Sequence, residues 1–199
     1  MVKWILAAVC AYLLGSLNFG VIISKLFYHQ DLRTLGSGNA GATNALRVMG
    51  PKMALPVLLG DILKAVIACC IGKALAGKDG TVLAFLFVVL GHMYPVYFGF
   101  RGGKGVLAGA TAFCMVDWRA FLVVFAVFLV LVLLTRYVSL GSVTAAVLMP
   151  LMLWLCHPDP LWHTLAALIV AALIVYRHRS NIGRLLHGTE SKLSFHKKA

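Results

Sequence analysis

Acidic side chains are scarce in this sequence. Its 199 residues hold six Asp and Glu together, and Glu190 is the only glutamate. No paired carboxylates are therefore on hand to hold a divalent metal. The five cysteines, Cys10, Cys69, Cys70, Cys114 and Cys156, all lie inside apolar runs and lack metal-ligand spacing. Neighbouring Cys69 and Cys70 face different sides of a helix, and we read all five as small, inert core residues rather than zinc ligands. The G-x-x-x-x-G-K-[ST] pattern of a P-loop is missing. No internal repeat organises the chain: Leu-Gly-Ser recurs at 14–16, 35–37 and 140–142, at unequal spacings.

Charge of either sign is also thin, at 12% of residues, where a soluble domain carries about a quarter. Hydrophobic residues make up 61%, the mean hydropathy is +0.93, and the apolar residues come in long runs such as 120–135 and 161–176. Runs of about 20 residues are long enough to cross a hydrocarbon core about 30 Å thick. The chain is therefore expected to be all-α and polytopic, a single membrane-embedded domain over 1–199, with its chemistry confined to residues at the membrane surface. The first run, Trp4 to Ser24, is longer than a signal-peptide core and lacks a small-x-small cleavage pattern, so it reads as a first span. The net charge of +12 does not argue for nucleic acid, because the basic residues lie in short connections between spans and not on one soluble face.

Seven transmembrane helices are expected, at about 4–24, 53–77, 80–98, 104–116, 119–135, 139–157 and 161–178. With the N-terminus outside, the inner face carries most of the basic residues. They run from Lys25, Arg33, Arg47 and Lys52 through Arg101, Lys104 and Arg136 to Arg177, Arg179, Arg184 and Lys192. Only Lys3, Lys73, Lys78 and Arg119 fall outside. That bias sets N-out, C-in. The fourth span is short, but if it failed to cross, the Arg-rich tail would face outward, so parity favours seven crossings. Gly15, Ser16 and Gly20, and likewise Gly141, Ser142 and Ala145, suit close helix packing in lipid.

Three inner segments carry polar chemistry. In the first, residues 35–47, Gly36, Gly38 and Gly41 alternate with Ser37, Asn39, Thr43 and Asn44 and lead to Arg47. Glycines permit positive φ and close approach of backbone N–H groups, which make an anion nest onto which Arg47 can fork. A turn-rich loop is the plainer reading, and Arg47 with the Thr43-Asn44 pair shifts the balance towards a site. In the second, residues 91–105, Pro95 ends a span, and Gly102, Gly103, Lys104 and Gly105 lead into the next. Helix-start amides beside a lysine suit phosphate, whereas a tight turn with a positive-inside lysine needs fewer glycines. In the third, residues 176–190, His178 and Asn181 are three apart among arginines, and Arg179 is expected to anchor to anionic headgroups. Glu190 is expected to pair with a basic residue of the tail. Inside the second span Asp61 and Lys64, one turn apart, are expected to neutralise each other, and His92 is placed to steady the glycine turn.

The blocks GSGNAGATNALR (36–47), GHMYPVYFGFRGGKGV (91–106) and RHRSNIGRLLHGTE (177–190) together resemble the bacterial acyl-phosphate:glycerol-3-phosphate acyltransferases. The D-x-x-K of 61–64 and the RYVSLGS of 136–142, which contains Ser142, are similar to that family too. Ala40 stands where the family usually has proline. The resemblance implies a multi-pass enzyme of the bacterial inner membrane with its active site on the cytoplasmic face. It would move a fatty acyl group from acyl phosphate to the 1-hydroxyl of sn-glycerol 3-phosphate, giving lysophosphatidic acid. On this reading His178, Lys104 and Ser37 act at the reacting groups. Gly36, Ser37, Gly38, Asn39, Gly41, Thr43, Asn44, Arg47, Gly102, Gly103, Lys104, Ser142, His178 and Asn181 hold substrate. No cofactor, metal or obligate protein partner is expected; the partners are the two substrates and membrane lipids. The chain also lacks a His-x4-Asp motif and a nucleophile–base–acid triad, which fits a donor that arrives already activated. A phosphate transporter and a non-catalytic headgroup-binding protein remain as rivals at this stage, although transporters usually show repeats and broken helices at the bilayer midplane.

Overall fold

The computed structural model describes residues 1–156 and 160–193. Among them the regular elements are all helical: α1 (Val2–Gly15), α2 (Phe19–Tyr28), α3 (Ala42–Met49), α4 (Pro51–Met93), α5 (Val106–Val116), α6 (Trp118–Thr135), α7 (Val138–Cys156), α8 (Pro160–Arg177) and α9 (Arg179–Leu186). Single 3-10 turns occupy Leu32–Thr34 and Val96–Phe98. The chain divides into two compact units, residues 1–112 and the residues from 113 onward.

Four helical stretches are long and apolar enough to cross a membrane: Val2–Tyr28, Pro51–Phe98, Trp118–Thr135 and Val138–Cys156. The bent pair α8–α9 makes a fifth if taken as one span. The second stretch does not run straight. Its 48 residues, at 1.5 Å each, would run about 72 Å if straight. Ala76 and Gly77 leave helical geometry, and a Cβ on Gly72 would run into the carbonyl of Gly80, as one on Gly80 would into that of Gly72. Residues eight apart in a straight helix are about 12 Å from each other, so α4 folds back as two arms, 51–75 and 78–93. As helices they cover most of the expected segments 53–77 and 80–98, the second stopping at Met93, where Tyr94 and Pro95 end the ladder. The expected end of the sixth span at residue 157 lies outside the described residues.

In the first unit, α1 lays a stripe of small buried residues, Ala7, Ala11 and Gly15, against α4. The approach is backbone to backbone, since a Cβ at Gly15 would strike the Val88 carbonyl and one at Gly91 the Tyr12 carbonyl. The phenolic O–H of Tyr12 donates to the Tyr94 carbonyl at 2.8 Å. Gly20 packs tightly too, but against the Ala40 carbonyl in a loop and not against a helix.

The first expected span, 4–24, is interrupted. The Asn18 side chain accepts from the Val21 N–H at 3.2 Å and starts α2 afresh, which frees the Leu17 carbonyl from the helical ladder. Lys64, from the first arm of α4, donates to that carbonyl at 2.8 Å. The same ammonium lies 2.7 Å from Asp61 and 2.9 Å from Nδ1 of His92, on the second arm. Asp61 and Lys64 are each 1% exposed, so the expected neutral pair exists, with two further acceptors that the spacing did not reveal.

In the second unit, α7 packs against both α6 and α8. Asp117 caps α6 by accepting from Arg119 N–H (2.9 Å) and Ala120 N–H (3.1 Å). Gly141 lets α7 close on Phe128 of α6. Phe121, Phe125 and Phe128 stack along α6, while Leu129, Val130, Leu133 and Leu134 on the same helix are exposed, as lipid-facing residues should be. The last expected span, 161–178, ends in a 58° bend between α8 and α9.

Removing one member of the buried pair leaves a bare charge, which costs about 3–5 kcal/mol. Asp61→Ala is therefore expected to lower the thermal unfolding midpoint of the detergent-solubilised protein sharply. The double variant with Lys64→Met, which removes both charges, should recover part of the loss. An Asp61→Ala protein as stable as the parent would contradict this account of the pair.

Candidate active site

The Gly36–Arg47 segment is folded around Asn44. This side chain is buried, and its Nδ2 donates to the carbonyls of Leu35 and Asn39 at 2.9 Å and of Leu32 at 3.2 Å. Its Oδ1 accepts from the Ser37 N–H at 2.9 Å. Asn44 thus shapes the loop, its amide engaged by backbone on every side. Gly36 (φ 56°) and Gly38 (φ 71°) take the left-handed conformation that the loop needs. Gly41 begins α3 without a side-chain cap, and among the described residues the N–H groups of Ala42 and Thr43 have no acceptor. Thr43 and Arg47, four apart and both exposed, line one face of α3, and Ser37 is exposed on the loop. Among the described residues the Arg47 guanidinium meets no acceptor. Open helix-start amides, a hydroxyl, a guanidinium and a glycine nest are the donors that an anion cradle requires.

The second segment departs from expectation. Gly102 N–H donates to the Met93 carbonyl and Gly103 N–H to the His92 carbonyl, each at 3.1 Å. These two amides are spent on docking the turn back onto α4, not left open towards a ligand. The reason for glycine here is steric: a Cβ on Gly102 would strike the His92 carbonyl, and one on Gly103 the His92 ring. His92 steadies the glycine turn through its carbonyl and its ring together, as its place in the sequence suggested. Lys104 follows, half-buried, and Gly105 (φ 77°) turns the chain into α5.

The two segments are joined by residues that the sequence reading left out of the site. Asp31 accepts from Arg33 Nε (2.9 Å) and NH2 (2.7 Å), and Arg33 NH1 reaches across to the carbonyls of Phe98 and Arg101, both at 2.8 Å. The Arg33 guanidinium holds the Asp31 carboxyl down to about 2. An Asp-x-Arg spacing just ahead of the glycine loop was the available signal.

In the second unit the polar residues gather around Glu190. Its carboxylate accepts from Ser139 Oγ (2.8 Å), Asn181 Nδ2 (2.6 Å) and Arg184 Nε (2.7 Å). Glu190 does pair with a basic residue near the tail, and it also takes up the Asn181 amide that was expected to face substrate. Burial pushes the Glu190 carboxyl up, but the donors Asn181, Ser139 and Arg184 outweigh it and hold the group below its ordinary value. Ser142 is buried and donates to the Val138 carbonyl of its own helix at 2.8 Å, so its hydroxyl proton is already placed. His178 is buried at the α8–α9 bend, with Nδ1 2.8 Å from the Ile174 carbonyl. In the neutral ring this puts the proton on Nδ1 and the lone pair on Nε2. His178 is the N-cap of α9 and its carbonyl accepts from the Ile182 N–H at 2.8 Å, so it and Asn181 belong to the same first turn. Among the described residues no group of three or more His, Cys, Asp or Glu is placed to hold a metal ion.

The model of a family described as glycerol-3-phosphate acyltransferase matches residues 5–188. Similar relatives carry that name: one from Syntrophomonas wolfei is 44% identical over 188 residues, covering 94% of this chain and 95% of the relative. One from Thermoanaerobacter sp. strain X514 is 45% identical over 193 residues, with 95% of each covered. Among solved structures, PlsY (YgiH), an integral membrane glycerol 3-phosphate acyltransferase, superposes in its glycerol 3-phosphate form with a TM-score of 0.89 at 42% identity. Its lysophosphatidic acid form gives 0.86 at 41%. Each comparison covers 96% of both chains.

The Glu190 cluster makes a pH-dependent prediction. Hydrogen bonds to a charged group contribute about 1.5–3 kcal/mol each, so Glu190→Ala should lower the unfolding midpoint at pH 7. A carboxyl depressed in the native state stabilises fully above its unfolded value of about 4.3, and that contribution fades as the pH falls through the lower native value. The gap between parent and variant should therefore be widest at neutral pH and narrow below about pH 4. A gap independent of pH would show that the carboxylate charge is not what the cluster uses.

Proposed function

The chain belongs to the glycerol-3-phosphate acyltransferase family, and on that premise we propose that it moves a fatty acyl group from acyl phosphate to the 1-hydroxyl of sn-glycerol 3-phosphate, giving lysophosphatidic acid and inorganic phosphate. The observation that carries this reading is the anion cradle: left-handed Gly36 and Gly38, open amides at the start of α3, and Arg47 beside them. The two similar solved structures are in forms with the acceptor and the product of such a transfer. We further propose that the whole chain acts as one catalytic domain crossing a bacterial inner membrane seven times, N-terminus out and C-terminus in. The two arms of α4 and the uneven spread of Lys and Arg support that topology, which puts the site on the cytoplasmic face.

The reaction asks little of the protein. Acyl phosphate is a mixed anhydride whose leaving phosphate is a weak base. The substrate hydroxyl attacks the acyl carbon, the new ester C–O bond forms, and the bond to phosphate oxygen breaks. The hydroxyl proton ends on phosphate, which we propose takes it at least in part directly. The cradle with Arg47, Thr43 and Ser37, and Lys104 at the entrance to α5, hold phosphate oxygens and counter the charge that grows on the departing group. Asn44, Gly102 and Gly103 serve this site by shaping it. The sequence has no carboxylate set for magnesium and no cysteine–histidine set for zinc, so we propose that neither a metal nor coenzyme A is needed.

Purified protein in detergent, given both substrates and a chelator but no coenzyme A, is expected to form lysophosphatidic acid and release phosphate. No product without a membrane gradient or a metal would overturn the reading. In the same assay Lys104→Ala and Arg47→Ala should each lose about 10- to 150-fold, the worth of a charge-assisted bond. Arg47→Lys should also be poor because the planar fork is gone.

His178 distinguishes two ways of moving the proton. A general base contributes about 10²–10⁴-fold. If His178 only orients a phosphate, as substrate-assisted proton removal requires, His178→Gln should keep much of the activity that His178→Ala loses. Equal inactivity of the two, together with loss of the acidic limb of the pH–rate profile, would make His178 the base.

A further inference from the structure

We propose that Arg33, held in its fork by Asp31, is a positioning residue that clasps the two glycine segments and keeps the phosphate cradle in its binding conformation. The proposal rests on the transfer reading above for what the cradle holds, but the clasp itself is seen in the geometry. All three nitrogens of the Arg33 guanidinium are engaged. Nε and NH2 meet the Asp31 carboxylate, and NH1 meets the carbonyls of Phe98 and Arg101. Asp31 is fixed in turn, since its Oδ1 accepts from the Arg33 N–H at 3.0 Å and its carbonyl accepts from Thr34 Oγ1 at 2.9 Å, with Lys25 at 3.7 Å.

What the clasp grips is a turn whose own backbone bonds include Phe98 N–H and Phe100 N–H to the Pro95 carbonyl and a longer one, 3.4 Å, from Arg101 N–H to the Phe98 carbonyl. Phe98 and Arg101 bracket Gly99 (φ 64°) and Phe100 (φ 58°), two successive left-handed residues, the second of a type that rarely adopts this conformation. The Phe100 side chain is 57% exposed, so packing does not secure it. Its N–H donates to the Pro95 carbonyl at 3.0 Å, and Arg33 holds the carbonyls on either side. Directly after this turn come Gly102, Gly103 and Lys104. On the other side, the Arg33 carbonyl lies under Gly38, 3.4 Å from where a Cβ would stand. Arg33 thus reaches the lysine-bearing turn through its side chain, while the residue before it, Leu32, accepts from the Asn44 amide that shapes the glycine nest at 3.2 Å.

The consequence is thermodynamic. A loop that visits other conformations binds with its intrinsic affinity divided among them, so loosening the clasp weakens apparent binding by the fraction of competent loop. In Arg33→Ala, KM for glycerol 3-phosphate and its Kd by titration calorimetry are expected to rise about tenfold or more, with kcat at saturation kept within about threefold. Arg33→Lys keeps the charge but cannot fork onto Asp31 while reaching both carbonyls, so it should fall between. Hydrogen exchange at Ser37, Gly38, Phe100, Gly102 and Gly103 in unliganded protein should quicken in the variant, while exchange in α6 and α7 stays unchanged.

A folded Arg33→Ala protein with unchanged KM, Kd and local exchange would overturn the proposal, and so would a fall in kcat alone, which is what a loss of folded protein produces. Should that variant fail to fold, Asp31→Asn, which keeps an oxygen for the turn but not the charged fork, is expected to show the same split, and its absence there would be equally decisive. If the parent protein binds glycerol 3-phosphate but does not consume acyl phosphate, the transfer reading fails. The exchange comparison, which needs no substrate, still decides the clasp.

Discussion

The first unit depends on where one ammonium group is placed. Lys64 is buried at a depth where water does not satisfy polar groups, and it has gathered three acceptors from three parts of the chain: the Leu17 carbonyl, the Asp61 carboxylate and the His92 ring. Without the break after α1 there would be no open carbonyl at Leu17. With the break and no lysine, that carbonyl would be stranded in an apolar setting. The same charge ties the first arm of α4 to the residue against which Gly102 and Gly103 are docked, so helix packing and site geometry share one electrostatic anchor.

A hierarchy follows from this. Small residues at the α1–α4 contact bring backbones together, Lys64 fixes the end of the second arm, His92 fixes the glycine turn, and the Asp31–Arg33 fork joins that turn to the nest. The proposed transfer, which asks for alignment more than proton transfer, would draw on a scaffold of this kind, rich in supporting hydrogen bonds.

Much of this was legible in the amino-acid sequence, and the limits have physical causes. Apolar runs located the helices because their length is dictated by the thickness of a bilayer, and the two arms of α4 came out close to the expected spans. The pairs Asp61–Lys64 and Glu190–Arg184 were readable because each joins near neighbours in the chain. Residue type alone did not reveal which polar groups are turned inward. Asn44 bonds to the backbone of its loop, Ser142 to a carbonyl one turn back in its own helix and Asn181 to Glu190, partners that residue type does not specify. The Arg33 fork escaped for the same reason, since the carbonyls it reaches lie 65 and 68 residues further on. The break at Asn18 was hidden inside an apolar run, where hydropathy registers one span and cannot register a cap.

The length of α5 has a consequence of its own. Its 11 residues rise about 16 Å, roughly half of a hydrocarbon core. Under the seven-crossing topology the lipid around this helix must draw in to match it, a deformation that costs a fraction of a kcal/mol for each ångström of mismatch. The aqueous boundary is then pulled inward beside the Gly105 turn. Acyl-chain length in the surrounding membrane sets the size of that deformation, so bilayer thickness bears on this helix more than on its longer neighbours.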